Sequence, residues 1–323
     1  MAEYKGTHGT KIQNYTSDPA NPLVGQVWYN ATDNALKYFY IKPGSWATVN
    51  SMNTAREELA GCGIASAALA FGGVASGTRL RNTESYNGTN WTEVNDLNTE
   101  RSLLAGAGTT TSALAFGGNA PPTGRAETEL WNGTNWTEVN DLNTGRERLA
   151  GAGANNTAAL AIGGEVPAGP TVAITELWNG TNWTEVNDLN TAIQFFAAVG
   201  TTTAALAFGG EPPATDKTEI WNGTNWTEVN DLNTARSKLA GAGTTTSALA
   251  FGATPIAGKG GLTESWNGTN WTELNDLNTP RETLSGAGSN NTSALAFGGK
   301  GPGVTGATEE WVAGPTTATI GDS

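Results

Sequence analysis

The sequence is poor in cysteine and has no long apolar run. Its 323 residues include one cysteine, Cys62, which excludes an intrachain disulfide framework. Cys62 takes the position of Ala107 in the next copy of a repeat, so we expect a buried, unreactive thiol. No segment approaches the ~18 consecutive apolar residues of a membrane span, and residues 1–8 lack the apolar core of a secretory signal. These absences predict a soluble protein without membrane insertion.

Basic residues are also scarce. The chain has 17 Lys and Arg against 30 Asp and Glu, which gives a net charge of −13. A charge of this sign disfavours nucleic acid and anionic membranes as partners, because both repel an acidic protein. We therefore expect no nucleic-acid partner.

The most prominent feature present is a segment repeated six times. Its best copy is TELWNGTNWTEVNDLNT at residues 128–144, and its second tryptophan recurs at spacings of 45, 45, 47, 43 and 45 residues. These tryptophans are Trp46, Trp91, Trp136, Trp183, Trp226 and Trp271. The first tryptophan of the segment recurs as Trp131, Trp178, Trp221, Trp266 and Trp311, with Tyr86 in the earliest copy. A fixed period of this length is typical of a propeller or solenoid.

Each copy predicts four short β-strands bounded by Gly and Asn. In the second copy they are strand a (104–108), strand b (113–117), strand c (128–131) and strand d (136–140). Strand a is rich in Ala and Gly, which fits the crowded position nearest a propeller axis. Asn132-Gly133 predicts a tight turn, and we interpret the many Asn-x-Thr sequons as turn chemistry. No segment has helical periodicity, so the sequence predicts an all-β fold.

The order of these elements resembles the kelch motif. A hydrophobic run ends in Gly-Gly, an aromatic residue and a tryptophan follow, and then comes a segment such as LNTAR at residues 232–236. The resemblance covers about residues 46–311 and implies a six-bladed kelch-type β-propeller with four-stranded blades. The chain departs from the pattern in two general ways: the aromatic position is mostly Trp, and the connection to the second tryptophan is short. It also departs locally, at Gly252-Ala253 and in the copy that contains Ile193. A WD40 propeller fits less well because its Gly-His and Trp-Asp signatures are missing.

Each end of the repeat region lacks strands that the other end could supply. Residues 46–50 match strand d without a preceding a, b or c, and residues 308–312 match strand c without a following d. We predict that they join in one composite blade, which closes the propeller and covers both open edges. The predicted domains are an N-terminal arm with a β-hairpin (1–45), the propeller (46–312) and a C-terminal tail (313–323).

A second resemblance concerns the arm. Residues 21–37, with the core GQVWYN at 25–30, resemble short motifs of phage virion and tail-fibre proteins. Repeats of the form TExWNGxxW are similar to those of virion proteins of marine phages. The resemblance implies a virion protein that contacts other virion proteins through residues 1–45. The alternative is an extracellular bacterial propeller.

The loops between strands b and c differ in every copy, whereas the a–b turns and c–d connections barely change. Alternation of strand direction places the b–c and d–a loops on one face, where recognition of a host-surface glycan or receptor is expected. Unconstrained drift is the alternative. Candidate binding residues in or beside these loops are Arg79, Arg81, Arg125, Asp216, Lys217 and Lys259.

Arginine precedes strand a in five copies. A ring of these arginines could bind an acidic sugar or a carboxylate, and they are Arg56, Arg101, Arg146, Arg236 and Arg281. The alternative is structural ion pairs with aspartates a few residues upstream, namely Asp96, Asp141, Asp188, Asp231 and Asp276. The fourth copy has the apolar segment IQFF at 193–196, which is either a ligand-facing patch or repacked interior.

Enzyme chemistry finds little support. A copper oxidase resembling galactose oxidase needs histidine ligands and a cysteine-linked tyrosine, but the chain has only His8 and Cys62. The Ser-x-Asp turns of sialidases are missing. Two carboxylates could serve a glycosidase, but Glu129, Glu138 and their equivalents in other copies are periodic strand residues. The Asn-Asp-Leu-Asn segments lack a recognised calcium-ligand spacing. We therefore predict a non-enzymatic virion protein without cofactor or metal that presents variable loops for recognition. A purely architectural virion component is the alternative.

Overall fold

The computed structural model describes residues 12–119, 126–253 and 260–320. Every regular element in these ranges is a β-strand, as the sequence predicted, and they contain no helix that could cross a membrane. The chain divides into two compact units. The larger is Ser45–Val312, and the smaller combines the described residues up to Gly44 with those from Ala313 onward.

The larger unit consists of repeated four-stranded antiparallel sheets, consistent with a β-propeller. The first strands, which correspond to strand a, are β4 (Ala60–Ile64), β10 (Ala105–Thr109), β14 (Ala150–Asn155), β18 (Ala197–Thr201), β22 (Ala240–Thr244) and β26 (Ser285–Asn290). The second strands, which correspond to strand b, are β5 (Ala67–Phe71), β11 (Ser112–Phe116), β15 (Ala158–Ile162), β19 (Ala204–Phe208), β23 (Ser247–Phe251) and β27 (Ser293–Phe297).

The outer strands contain the tryptophans. The third strands, which correspond to strand c, are β8 (Thr83–Tyr86), β12 (Thr128–Trp131), β16 (Thr175–Trp178), β20 (Thr218–Trp221), β24 (Thr263–Trp266) and β28 (Thr308–Thr319). The fourth strands, which correspond to strand d, are β9 (Trp91–Val94), β13 (Trp136–Val139), β17 (Trp183–Val186), β21 (Trp226–Glu228) and β25 (Trp271–Glu273). Five sheets take their four strands from consecutive sequence, whereas β28 has β3 (Ala35–Val49) from the start of the chain as its neighbour.

Each second strand is buried on both faces. In β11 the side chains of Ala113, Leu114, Ala115 and Phe116 are all 0 % exposed. Because successive strand residues point to opposite faces, this strand must be covered by a neighbouring sheet on either side. The run of uncharged large and small residues correctly predicted such a strand.

Tryptophan joins each sheet to the one before it in the repeat order. Trp136 begins the fourth strand of its sheet and packs against Phe71 of the preceding sheet, with ring centroids 5.0 Å apart. Its Nε1–H donates to Thr83 Oγ1 at 3.0 Å, so the buried indole has a hydrogen-bond partner. All six copies make this bond, at 2.9–3.1 Å: Trp46 to Thr263, Trp91 to Thr308, Trp136 to Thr83, Trp183 to Thr128, Trp226 to Thr175 and Trp271 to Thr218.

The same phenylalanines explain a glycine in the first strands. A Cβ on Gly106 would lie 2.5 Å from Cζ of Phe71 in the neighbouring sheet. Real Cβ atoms do not approach other carbons this closely, so the position accepts only glycine unless the ring moves. The Ala-Gly composition of strand a therefore follows from close packing between sheets.

The smaller unit has its own hydrogen-bonded arrangement. Strand β1 (Gln13–Tyr15) pairs parallel with β2 (Val27–Asn30), which pairs antiparallel with the start of β3. Trp28 is fully buried, and its Nε1–H donates to Asp18 Oδ1 at 3.0 Å. Asn30 donates to the same oxygen at 2.7 Å, and this bond is the main reason why the pKa of Asp18 falls below its ordinary value. The exposed Asp18 thus orders the turn-rich segment before β2.

The packing of Trp136 gives a first testable prediction. Trp136→Ala should lower the free energy of unfolding by about 3–5 kcal/mol, because it opens a cavity beside Phe71 and leaves the Thr83 hydroxyl without its donor. Trp136→Phe is the control. It keeps an aromatic ring and loses the hydrogen bond, so it should cost clearly less than the alanine variant. Urea unfolding followed by circular dichroism measures both, and an alanine variant as stable as the native protein would contradict this packing role.

Candidate functional site

The five arginines before strand a lie in the protein interior. Their side chains are at most 1 % exposed, and each is close to a carboxylate oxygen of a third-strand glutamate. The pairs and their N···O distances are Arg56–Glu84 (2.7 Å), Arg101–Glu129 (2.8 Å), Arg146–Glu176 (2.5 Å), Arg236–Glu264 (3.3 Å) and Arg281–Glu309 (3.1 Å). Burial lowers the pKa of Arg56, Arg146 and Arg281, and it lowers that of Arg236 to about 10. In this conformation these guanidinium groups are inaccessible to a ligand.

The arginines are therefore ion-paired, but with glutamates and not with the upstream aspartates that we predicted. Asp96 Oδ1 instead accepts a hydrogen bond from the backbone N–H of Thr83, at 3.1 Å, at the start of the third strand. The sheet register explains the difference, because Glu129 lies opposite Ala115 in the middle of the sheet. Of the two recurrent glutamates dismissed as catalytic candidates, Glu129 and its equivalents are the partners of the buried arginines, whereas Glu138 is exposed on the fourth strand.

Each glutamate also fixes the loop that enters the sheet. Glu84 accepts hydrogen bonds from the backbone N–H and side chain of Asn53, at 2.7 and 2.8 Å, and from the N–H of Thr54 at 3.2 Å. The carboxylate thus satisfies backbone donors of the d–a loop besides neutralising Arg56. Removing either charged partner would leave the other buried without compensation.

A ring of backbone hydrogen bonds lies just beyond these ion pairs. It is formed by the residues two positions after the arginines, or after Ile193 in the fourth copy, which are Glu58, Leu103, Arg148, Phe195, Lys238 and Thr283. Each N–H donates to the carbonyl oxygen of its equivalent in the preceding copy, at 2.7–3.0 Å, and Glu58 donates to Thr283, so the six bonds form a cycle. All six residues have a left-handed φ of 51–58°. We call this set the axial ring.

The axial ring is the rim of a small cavity. Beneath it lie the side chains of the next residues, which are buried: Leu59, Leu104, Leu149, Phe196, Leu239 and Leu284. The cavity enclosed by both sets measures about 100 Å³. The ring position needs only its backbone for the cycle, so its side chain can differ in every copy.

The side chains of the axial ring form an ordered, uneven surface. The Arg148 guanidinium and the Lys238 ammonium lie 5.0 and 5.3 Å from the centroid of the Phe195 ring, within the range of cation–π attraction. Arg148 also contacts Glu147, at 3.3 Å, and Lys238 contacts Glu282 at 3.5 Å. The Phe195 ring and the two cations beside it therefore occupy one side of the cavity opening, which we call the mouth.

Glu58 occupies another position of the axial ring. Partial burial raises the pKa of its carboxyl, and the neighbouring Glu57 adds to the shift, while a hydrogen bond from Ser102 and the charges of Arg148 and Arg79 oppose it. The mouth thus combines cationic, aromatic and acidic groups.

Among the predicted loop residues, Arg79 connects to the surroundings of this mouth. It lies in the two-stranded hairpin of β6 (Val74–Ala75) and β7 (Thr78–Arg79), and its guanidinium donates to Asn119 Oδ1. The Asn119 amide in turn donates to Glu147, which is next to Arg148 in sequence. A b–c loop is therefore linked to the axial ring.

The other predicted loop residues do not converge on the mouth. Arg81 is exposed, and the carbonyl oxygen of Asp216 accepts a backbone hydrogen bond from Leu232 at 2.9 Å. Lys217 donates to Glu228 and Asp231 at 2.5 and 3.2 Å, and these bonds raise its pKa. Arg125 and Lys259 lie outside the described residues.

Sequence reasoning missed the axial ring, although one signal was present. Within the near-identical repeats, the second residue after the arginine is different in all six copies. The apolar segment of the fourth copy is divided, because Ile193 and Phe196 are 8 % and 6 % exposed and pack in the core, while Phe195 belongs to the axial ring.

In the described ranges, no group of three or more His, Cys, Asp or Glu side chains could hold a metal ion. Cys62 is buried as predicted, and burial raises the pKa of its thiol to about 12. No known protein family and no curated protein matches the sequence.

The buried ion pairs give a second prediction. Arg146→Met should lower the free energy of unfolding by about 3–5 kcal/mol, because Glu176 keeps a buried charge without its cation. Adding Glu176→Gln should recover part of this loss, since the neutral amide oxygen can still accept from the Asn143–Thr144 loop. Chemical denaturation of the two variants measures the difference. Equal stability of single and double variants would refute the coupling.

Proposed function

We propose that the six sheets are the blades of one closed, six-bladed kelch-type propeller. Three observations support closure: the six ring hydrogen bonds form a cycle, the six tryptophan–threonine bonds do the same, and β3 neighbours β28. In this reading residues 46–50 supply strand d of the composite blade. The kelch assignment rests on the order of the sequence motifs.

We further propose that the protein is a non-enzymatic recognition module of a virion and binds a host-surface glycan or receptor at the face of the axial ring. One observation carries this proposal: five of the six copies preserve the buried arginine and leucine on either side of the ring position, yet all six ring positions differ. Random substitution at the ring positions does not explain why an aromatic side chain lies between two cations that each contact a carboxylate. Cationic donors and their carboxylate partners beside an aromatic ring suit the hydroxyl groups and apolar faces of a sugar.

The virion assignment rests on the resemblance of residues 21–37 and of the repeats to phage virion proteins. The smaller unit adds support, because Leu23 and Val24 are 76 % and 62 % exposed there. Two adjacent apolar side chains left in solvent favour a protein contact, here with other virion proteins. The same observation favours the architectural alternative, in which recognition plays no part.

A triple variant tests the proposed recognition face. Arg148→Asn, Phe195→Asn and Lys238→Asn together remove the aromatic and cationic groups, and asparagine tolerates the left-handed φ that the axial ring requires. We expect a folded protein, normal particle assembly and loss of adsorption to host cells. Lys217→Asn, which removes a cation bound to strand residues away from the ring, is the matched control and should adsorb normally.

Three readouts separate the alternatives: thermal unfolding of the isolated protein, particle yield and adsorption. Unchanged adsorption by the triple variant would contradict recognition at the axial ring. Failed assembly with a normally folded protein would favour the architectural function.

A further inference from the structure

A second and larger cavity lies at the opposite ends of the first strands. It measures about 400 Å³ and is lined by residues from all six sheets, where each first strand turns into the second. Its characteristic side chains are Ile64, Thr109, Ala154, Thr201, Thr244 and Ser289. The axial ring borders the beginnings of these strands, so the two cavities lie at opposite ends of them, and further cavities lined by the middle of the strands lie between.

The lining of this cavity is uncharged. No Asp, Glu, Lys, Arg or His is among its lining residues in the described ranges. Thr201 Oγ lies 3.2 Å from the hydroxyl of Thr203 in its own turn, and Thr244 Oγ accepts from the N–H of Thr246 at 3.4 Å. Each of these hydroxyls thus has a partner within its own turn.

Ile64 adds an apolar group at a position where three other copies have threonine. Its side chain is 46 % exposed, which makes it one of the most exposed large apolar residues of the larger unit. Covering a solvent-exposed isoleucine at the edge of a concave site with an apolar ligand is favourable, because it removes apolar surface from water.

Glycine leaves part of the cavity wall without side chains. Gly63 and Gly108 line it with φ of 107° and 116°, and a Cβ at either position would overlap backbone atoms of the following strand. Side chains are therefore excluded from part of the wall. The resulting volume of about 400 Å³ falls in the range of small-molecule sites, whereas the cavity at the axial ring does not reach it.

We propose that this cavity binds one uncharged, largely apolar small molecule. A charged ligand would lose hydration without gaining a counter-charge. This activity is independent of recognition at the axial ring, because it uses the other ends of the strands.

Two fluorescent probes with the same aromatic skeleton test the proposal on the full chain. N-phenyl-1-naphthylamine is neutral, and 1-anilinonaphthalene-8-sulfonate adds one negative charge. We expect saturable binding of the neutral probe with one site per chain, and affinity for the sulfonate weaker by at least about tenfold because its charge is left unpaired. Equal affinities, or no saturable binding of the neutral probe, would overturn the proposal.

Variants locate the site. Ala154→Asp places a carboxylate in the cavity at an exposed strand end, and Thr201→Asp does so from the neighbouring sheet. Each should weaken binding of the neutral probe by about tenfold or more. The control Thr137→Asp, on an exposed position of a fourth strand, should leave it unchanged. If the neutral probe binds both folded cavity variants as tightly as the native protein, it binds elsewhere and the proposal is wrong.

Discussion

The axial ring of six backbone hydrogen bonds is the constraint on which the remaining structure depends. Each ring residue must adopt a left-handed φ although none is glycine, a conformation that is costly for most side chains. The six hydrogen bonds offset this cost only if every copy places its ring residue at the equivalent position. A shift in one sheet would break its bonds to both neighbours.

The close approach of the first strands to neighbouring sheets also restricts which residues these strands can contain. Glycine at positions such as Gly106 makes room for the phenylalanine of the neighbouring sheet, and that phenylalanine in turn packs on the indole of a fourth strand. The buried arginine–glutamate pairs then fix the loops that lead into the ring. Buried ion pairs add little net stability, so we attribute their retention to positioning of these loops. In the fourth copy Ile193 replaces the arginine, and the Glu219 carboxylate still accepts hydrogen bonds from Asn190 and Thr191.

Much of the fold could be predicted from the sequence, because recurrent residues in the repeats mark where the strands begin and end. The third strand was predicted to span residues 128–131 and does, since Thr128 and Trp131 both make specific buried contacts. Strand a begins one residue later than predicted, because Leu104 belongs to the apolar layer beneath the axial ring.

The site was harder to predict. The partner of each arginine depends on register across the sheet, which sequence proximity does not reveal, and proximity favoured the wrong aspartates. A left-handed φ at Glu58, Phe195 or Lys238 has no signature in residue type. The variable loops attracted attention by their length and composition, whereas the six ring positions are single substitutions within constant segments.

Native-state hydrogen exchange of the six ring amides tests closure most directly. If the sheets form one closed propeller, all six amides should exchange only through global unfolding, with free energies equal to one another and to that from urea denaturation. The amides of Glu58 and Thr283 are decisive, because they join the first and last copies of the repeat. Fast exchange of the Glu58 amide, with the other five protected, would show an open ring and contradict the account.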